Sequence, residues 1–251
     1  MIEKLKQIAE EAGKLILEVY NSDDFNVKIK DDNSPLTEAD KRSHNYILEE
    51  LNKNFLGIPV FSEEGNTIGY EKRKIWEQFF LVDPLDGTKE FIKRNGEFTV
   101  NIALIKNNLP YLGVINVPVT GETYFGSVED GSYKQVNGDI EKIEVSKAAS
   151  TDELTVVQSR SHSGEEEDKF YSNYKIKEKT SKGSSLKICL VAEGKAELYF
   201  RSGPTWEWDT AAGHAILLGA KGYFVNKDKS PVFYNKELPK NFGFIASSFK
   251  I

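Results

Sequence analysis

The run Phe79-Phe80-Leu81-Val82-Asp83-Pro84-Leu85-Asp86-Gly87-Thr88-Lys89-Glu90-Phe91 constrains the fold more than any other stretch. Four apolar residues open it, too few for a helix, so 79–82 reads as a buried strand. Pro84 fixes its own φ and pushes Asp83 toward an extended conformation, so the strand is expected to end there. Asp86-Gly87-Thr88 then reads as a helix start, with Asp86 as N-cap and Glu90 in the first turn. Two acids at a strand end, followed by the N–H groups of a helix start, make a place where cations and phosphate can meet.

Three other readings compete. Asp-Pro and Asp-Gly are common turn formers, and an isolated Asp-x-x-Asp-Gly-Thr is compatible with a plain turn. A calcium loop of the EF-hand type wants acids at alternate positions and a Glu at the twelfth, and neither is present. A phosphatase with an aspartyl-phosphate intermediate reads Asp-x-Asp-Gly-Thr, one residue shorter than the spacing here.

The remainder of the chain bounds the partners. A net charge of −6 over 251 residues argues against a nucleic-acid polymer, which needs clustered positive charge. It leaves room for an anionic small molecule, because bound divalent cations invert the local field. The single cysteine, Cys189, sits in the apolar run 186–192 and reads as a buried, inert thiol. Residues 1–20 carry apolar side chains at helical spacing, interrupted by Lys and Glu: an amphipathic surface helix, not a signal peptide. No run approaches the ~20 apolar residues of a membrane span. The expected compartment is the cytoplasm, if need be peripheral at the inner face of the membrane.

Taken in order, 25–30 alternates as a short strand, 31–35 is a turn, and a helix begins at Thr37-Glu38-Ala39-Asp40. Asp40 fits the reciprocal place of a capping box, Thr-x-x-Asp, which explains it without chemistry. The strand 58–61 ends at Ser62-Glu63-Glu64-Gly65, so a second apolar run stops at acids, although an exposed Glu pair is also ordinary surface. Segments 98–105, 112–117 and 122–126 read as a meander, hence an antiparallel sheet in the first half. The pattern changes around 146–152. Strands at 154–158 and 196–200 alternate with helices at 186–193 and 210–218, which predicts a mixed sheet in the second half. The segment 164–168 is acidic and expected to be exposed. Asp209 reads as the N-cap of the 210–218 helix or as one more carboxylate at a helix start. His162, in Ser159-Arg160-Ser161-His162, reads alone as a satisfied polar residue.

Together, Asp83-Pro84-Leu85-Asp86-Gly87-Thr88, the upstream Glu63-Glu64 and the downstream Trp208-Asp209-Thr210-Ala211-Ala212 resemble the inositol monophosphatase superfamily of metal-dependent, lithium-sensitive phosphatases. Lys89-Glu90-Phe91, Ser159-Arg160-Ser161-His162 and Gly183-Ser184-Ser185-Leu186-Lys187 are more similar to its 3'(2'),5'-bisphosphate nucleotidase branch. The resemblance implies a layered αβαβα sandwich of α+β type. An antiparallel half (1–148) carries most metal ligands and a mixed α/β half (149–251) carries Asp209 and the nucleotide contacts, in one compact unit.

The same resemblance implies two or three Mg²⁺ ions. Glu63, Asp83 and the Leu85 carbonyl would hold one; Asp83, Asp86 and Asp209 a second; Glu63 would share a third. Four carboxylates placed together are costly unless cations neutralise them, which fits independently. Asp40 and Thr88, with Glu63, are the implied catalytic groups, activating a water for in-line attack on phosphorus. Substrate contacts are expected from Glu63, Leu85, Asp86, Gly87, Thr88 and Asp209 at the phosphoryl group, and from Ser159, His162, Gly183, Lys187 and Arg201 toward the nucleotide. The implied substrate is adenosine 3',5'-bisphosphate or its phosphosulfate relative, handled by a monomer or homodimer. An inositol or broader sugar phosphatase and a non-enzymatic metal-binding protein are the alternatives.

Overall fold

In the computed structural model the described residues are 1–22, 25, 27–29, 35–160 and 164–251. The first half runs α1 (Ile2–Tyr20), β1 (Lys28–Ile29), β2 (Pro35–Leu36), α2 (Glu38–Asn54), β3 (Val60–Ser62), α3 (Tyr70–Arg73), β4 (Gln78–Asp86), α4 (Thr88–Ile92), β5 (Thr99–Lys106), β6 (Leu109–Val117), β7 (Glu122–Ser127), β8 (Gly131–Val136) and β9 (Asp139–Ile143). The second runs β10 (Glu153–Ser159), α5 (Glu165–Tyr171), β11 (Lys175–Lys182), α6 (Leu186–Ala192), β12 (Leu198–Arg201), β13 (Thr205–Trp206), α7 (Glu207–Gly219), β14 (Tyr223–Asn226), β15 (Lys240–Asn241) and β16 (Phe244–Ser247).

Strands β3 to β9 form a seven-stranded sheet in sequence order. Every pairing in it is antiparallel except β3 with β4, which is parallel. A five-stranded mixed sheet follows in the order β11-β10-β12-β16-β14. Alternate residues of β4 and β5 face opposite layers. Phe80, Val82, Ile102 and Leu104 pack against α1 and α2, where Leu5, Ile8, Ala12 and Ile47 are buried. Phe79, Leu81, Ala103 and Ile105 pack against α6 and α7, which meet Tyr199, Phe224 and Phe244 of the second sheet on their far side. Leu154, Val156, Leu198 and Ile245 cover the outer face of that sheet together with Tyr171 of α5. The layers are therefore α, β, α, β, α, as the resemblance implies. Each fully buried Leu or Ile contributes ~1.5–3 kcal/mol of transfer free energy, so these faces set the layer order.

Several local expectations are corrected. Strand β4 does not stop at Asp83 but continues to Asp86. Asp83 pairs with Asn101 and Asp86 with Thr99, so one extra residue is absorbed around Pro84. Pro84 has no N–H for the ladder, and a bulge there removes the need for one. Asp86 is not the N-cap of α4; that position is Gly87, at φ 93°, with no side-chain cap. Helix α4 has only five residues, so it offers little macrodipole. Asp209 is not the N-cap of α7 either: the helix begins at Glu207 and Asp209 accepts from the Trp206 N–H at 2.9 Å.

The acidic segment 164–168 forms the N-cap and first turn of α5 and is exposed as expected except for Glu167, which is buried. Its Oε1 accepts from the Ser202 N–H and hydroxyl at 3.0 and 2.6 Å. Glu166 and Asp168 pair at the surface with Lys227 and Lys179, which offsets two of the segment's four negative charges. Strands β8, β9, β11, β14 and β16 were not anticipated; β9 is almost wholly exposed, and β11 alternates Lys with polar residues. Of the strand expected at 25–30, only 28–29 is seen; Asn26, Lys30 and the turn residues 31–34 lie outside the described residues.

Candidate active site

The bulged end of β4 delivers Asp83 and Asp86 to the seam between the halves. The Leu85 N–H donates to Asp83 Oδ1 at 3.1 Å, a short-range bond that holds the turn. Glu63 follows β3, and its N–H donates to the Val82 carbonyl at 3.1 Å, seating it beside Asp83. From the other half, the first turn of α7 brings Asp209. Burial pushes the Asp83 carboxyl well above its ordinary range, and the charges of Glu63, Asp86 and Asp209 push the same way. Burial likewise raises Asp209, reinforced by Asp86 and Glu63. Asp86 is raised by burial against the opposing pull of Lys187 and the Ser185 N–H. Four acids from three separated elements therefore feel one another in one largely desolvated place, with Asp83 buried and the other three half-buried.

Each acid is also held by the protein. Asp86 Oδ2 accepts from the Ser185 N–H at 2.7 Å and from Asn101 Nδ2 at 3.4 Å. Among the described residues, no three His, Cys, Asp or Glu side chains already stand as a closed coordinating cluster, nor does any Lys or Arg form an ion pair with Asp83, Asp86 or Asp209. The donor set, carboxylates plus the Leu85 carbonyl, is made of hard oxygens carrying excess negative charge. That set fits a hard divalent cation such as Mg²⁺ and does not fit a soft metal.

Asp40 lies beside this cluster, and its two carboxylate oxygens have different partners. Its Oδ2 accepts from the Thr37 N–H at 2.7 Å and the Thr37 hydroxyl at 2.5 Å, closing the capping box of α2. Its Oδ1 lies 3.4 Å from the Thr88 hydroxyl, which is also 3.4 Å from the Leu85 carbonyl. The capping bonds thus use one oxygen of Asp40 and leave the other facing the Thr88 hydroxyl.

A cavity of about 140 Å³ opens from the acids toward the second half. Of the expected contacts, Asp86, Gly87, Ser159, Gly183, Lys187, Arg201 and Asp209 all line it. Glu63 instead lines a neighbouring cavity with Trp208 and Arg73. His162 lies outside the described residues. Lys187 is buried, and desolvation lowers its ammonium to about 8. It donates to the Ser184 and Lys182 carbonyls at 2.5 and 3.3 Å, so its charge is already partly engaged. Arg201 Nη2 lies 3.5 Å from the Pro204 carbonyl.

The residues that sequence reasoning passed over are the ones that join the halves. Thr99, Asn101 and Ser185 share one hydrogen-bond network, with Thr99 Oγ1 2.9 Å from Asn101 Oδ1 and 2.8 Å from Ser185 Oγ. The signal was present: Thr99 and Asn101 are the polar residues of the otherwise apolar 98–105 run.

Comparison with known proteins bears on this arrangement. A curated 3'(2'),5'-bisphosphate nucleotidase CysQ of Escherichia coli (strain K12) is 44% identical over 251 residues, covering 99% of this chain and 100% of that protein. The protein of the same description from Salmonella typhimurium (strain LT2) is 48% identical over 221 residues, 88% of each chain. The crystal structure of CysQ from Bacteroides thetaiotaomicron superposes with a TM-score of 0.85 at 43% identity, covering 96% of this chain and 95% of that one. The model of the Inositol monophosphatase family matches residues 1–248. The chain belongs to the inositol monophosphatase family.

Proposed function

We propose that the chain is a Mg²⁺-dependent, lithium-sensitive 3'(2'),5'-bisphosphate nucleotidase. It would release the 3'-phosphate of adenosine 3',5'-bisphosphate, leaving AMP, and would act on the phosphosulfate relative in the same way. The observation that carries the reading is the convergence of buried Asp83 and half-buried Asp86 and Asp209 beside the Asp40–Thr88 pair, at the mouth of a cavity lined by Lys187 and Arg201. The names of the relatives support the substrate.

Glu63, Asp83, the Leu85 carbonyl, Asp86 and Asp209 would hold two or three Mg²⁺ ions. When bound, these ions supply charge neutralisation for the phosphoryl group and ease deprotonation of the attacking water. The chain's own residues do the rest. Thr37 holds Asp40 by Oδ2, leaving Oδ1 toward the Thr88 hydroxyl. Thr88 donates to Asp40 and accepts from a water, which aims that water's lone pair at phosphorus. The water oxygen bonds to phosphorus as the bond from phosphorus to the ribose 3'-oxygen breaks. The water's proton leaves through Thr88 toward Asp40, the leaving ribose oxygen takes a proton from solvent water, and Asp40 returns its proton to solvent to close the cycle. Lys187 and Arg201 offer positive charge to the 5'-phosphate that stays. The halves 1–148 and 149–251 act here as one unit, since each supplies part of the site.

Incubating the protein with adenosine 3',5'-bisphosphate and Mg²⁺ and identifying the products tests this. AMP with one equivalent of phosphate, abolished by chelator, is expected. Adenosine 3'-phosphate as the product would contradict the assignment of the cleaved ester.

A further inference from the structure

Glu97 lies outside the acid cluster, between β4 and β5, yet the walls of the substrate cavity converge on it. Its Oε2 accepts from the Gly183 N–H at 2.8 Å and from Arg160 Nε at 2.9 Å; its Oε1 accepts from Arg160 Nη2 at 2.8 Å. Lys182 Nζ stands 3.3 Å from Oε1. The forked Arg160 pair also reaches the Ser181 carbonyl at 3.0 Å. Arg160 directly follows Ser159, so one carboxylate ties the end of β10 to the loop after β11. Only 12% of the Glu97 side chain is exposed, and its donors hold it ionised below the usual carboxylate range despite the opposing burial.

The backbone of Glu97 completes the junction. A Cβ at Gly183 would stand 2.8 Å from the Glu97 carbonyl oxygen and 3.0 Å from its Cβ. A Cβ at Gly87, on the turn bearing Asp86, would meet the same oxygen at 3.1 Å and Ser184 Cβ at 3.2 Å. Two glycines from opposite halves thus close on one residue. Ser184, between Gly183 and the Ser185 that bonds Asp86, sits at φ 49°, a left-handed conformation that a serine keeps only when its surroundings hold it.

We propose that Glu97 is a positioning residue for substrate specificity: through Gly183 and Arg160 it sets the distance between the phosphoryl-binding turn and the wall that meets the remainder of the nucleotide. It engages Arg160 Nε and Nη2 and the Gly183 N–H, so these donors point at Glu97 and not at the ligand. The inference rests on the nucleotidase reading, because it needs a substrate that spans both halves. A charge-assisted hydrogen bond of this kind carries enough free energy for a 10- to 100-fold effect on binding.

The test compares wild type, Glu97→Ala, Glu97→Gln and Arg160→Gln on adenosine 3',5'-bisphosphate and on inositol 1-phosphate, which lacks the nucleoside and the second phosphate. For Glu97→Ala the expected result is a KM for the nucleotide raised about 10- to 100-fold, with kcat within about threefold and the KM for inositol 1-phosphate within about twofold. Glu97→Gln keeps an acceptor for Gly183 N–H and should recover part of the loss. Arg160 is half exposed, so Arg160→Gln keeps the fold and should show the same split at smaller size. Equal losses on both substrates, or a fall in kcat with KM unchanged, would overturn the assignment to Glu97 while leaving the nucleotidase reading intact. A wild type that shows no preference for the nucleotide would instead overturn that reading, and the specificity role of Glu97 with it.

Discussion

Asp40 and Thr88, 48 residues apart, meet with Oδ1 3.4 Å from the hydroxyl, while the other oxygen of Asp40 closes the first turn of α2. One carboxylate is thus both a cap and the partner of a hydroxyl at the seam. Asp40→Asn keeps the shape but loses the charge. Turnover should fall by ~10² to 10⁴, the range for a general base. The cap weakens as well, at a stability cost of ~0.5–2 kcal/mol. Measuring kcat together with Tm separates the two; a variant with full turnover and lowered Tm would leave Asp40 as a cap only.

The clustered acids oppose one another, so neutralising one should help the fold. Asp209→Asn retains an acceptor for the Trp206 N–H and removes one charge from the cluster. In chelator, its Tm should exceed that of wild type. Added Mg²⁺ should raise the wild-type Tm far more than the variant's, because ligand binding stabilises only a competent site. Equal Mg²⁺ shifts in the two proteins would contradict the ligand role of Asp209.

Gly87 adopts φ 93°, and a Cβ there would stand 3.1 Å from the Glu97 carbonyl oxygen and 3.2 Å from Ser184 Cβ. Gly87→Ala should cost ~1–3 kcal/mol, as for a non-glycine residue forced into a sparsely populated conformation. The loss should be visible by urea denaturation, with activity falling alongside it because Asp86 and Thr88 flank the position.

His214 gives the pH dependence a defined sign. It is buried, with Nδ1 3.0 Å from the Tyr234 hydroxyl and its ring stacked on Phe224 at 4.3 Å. Burial lowers it from 6.5 to about 3. The unfolded chain therefore takes up a proton below pH 6.5 that the folded chain refuses. Its stability contribution is complete above pH 6.5, falls as pH drops, and is exhausted near pH 3. Between pH 6.5 and 5 the loss is about 2 kcal/mol. Plotted against His214→Phe, the wild-type stability should drop more steeply across that window; parallel curves would contradict it.

The legible parts of the molecule were those where one residue type has one strong use. The 79–82 run with Asp83 and Asp86 announced a buried strand ending in acids, and Trp208-Asp209-Thr210 announced a helix start. The exact end of β4 was hidden because a bulge at Pro84 depends on its partner strand β5, which local sequence does not report. Strand β9 was hidden because its side chains are mostly exposed, and β11 because it is mostly charged or polar, so tertiary pairing and not periodicity makes them strands. Glu97 and Arg160 look like ordinary surface charges; only the fold brings residues 63 positions apart into a fork.

The central claim is preference for a bisphosphorylated nucleotide over other phosphate monoesters. It is tested most directly by kcat/KM for adenosine 3',5'-bisphosphate and inositol 1-phosphate, measured side by side with Mg²⁺, with and without lithium. The account predicts a strong preference for the nucleotide and its loss of rate in lithium. A higher kcat/KM for inositol 1-phosphate would contradict it.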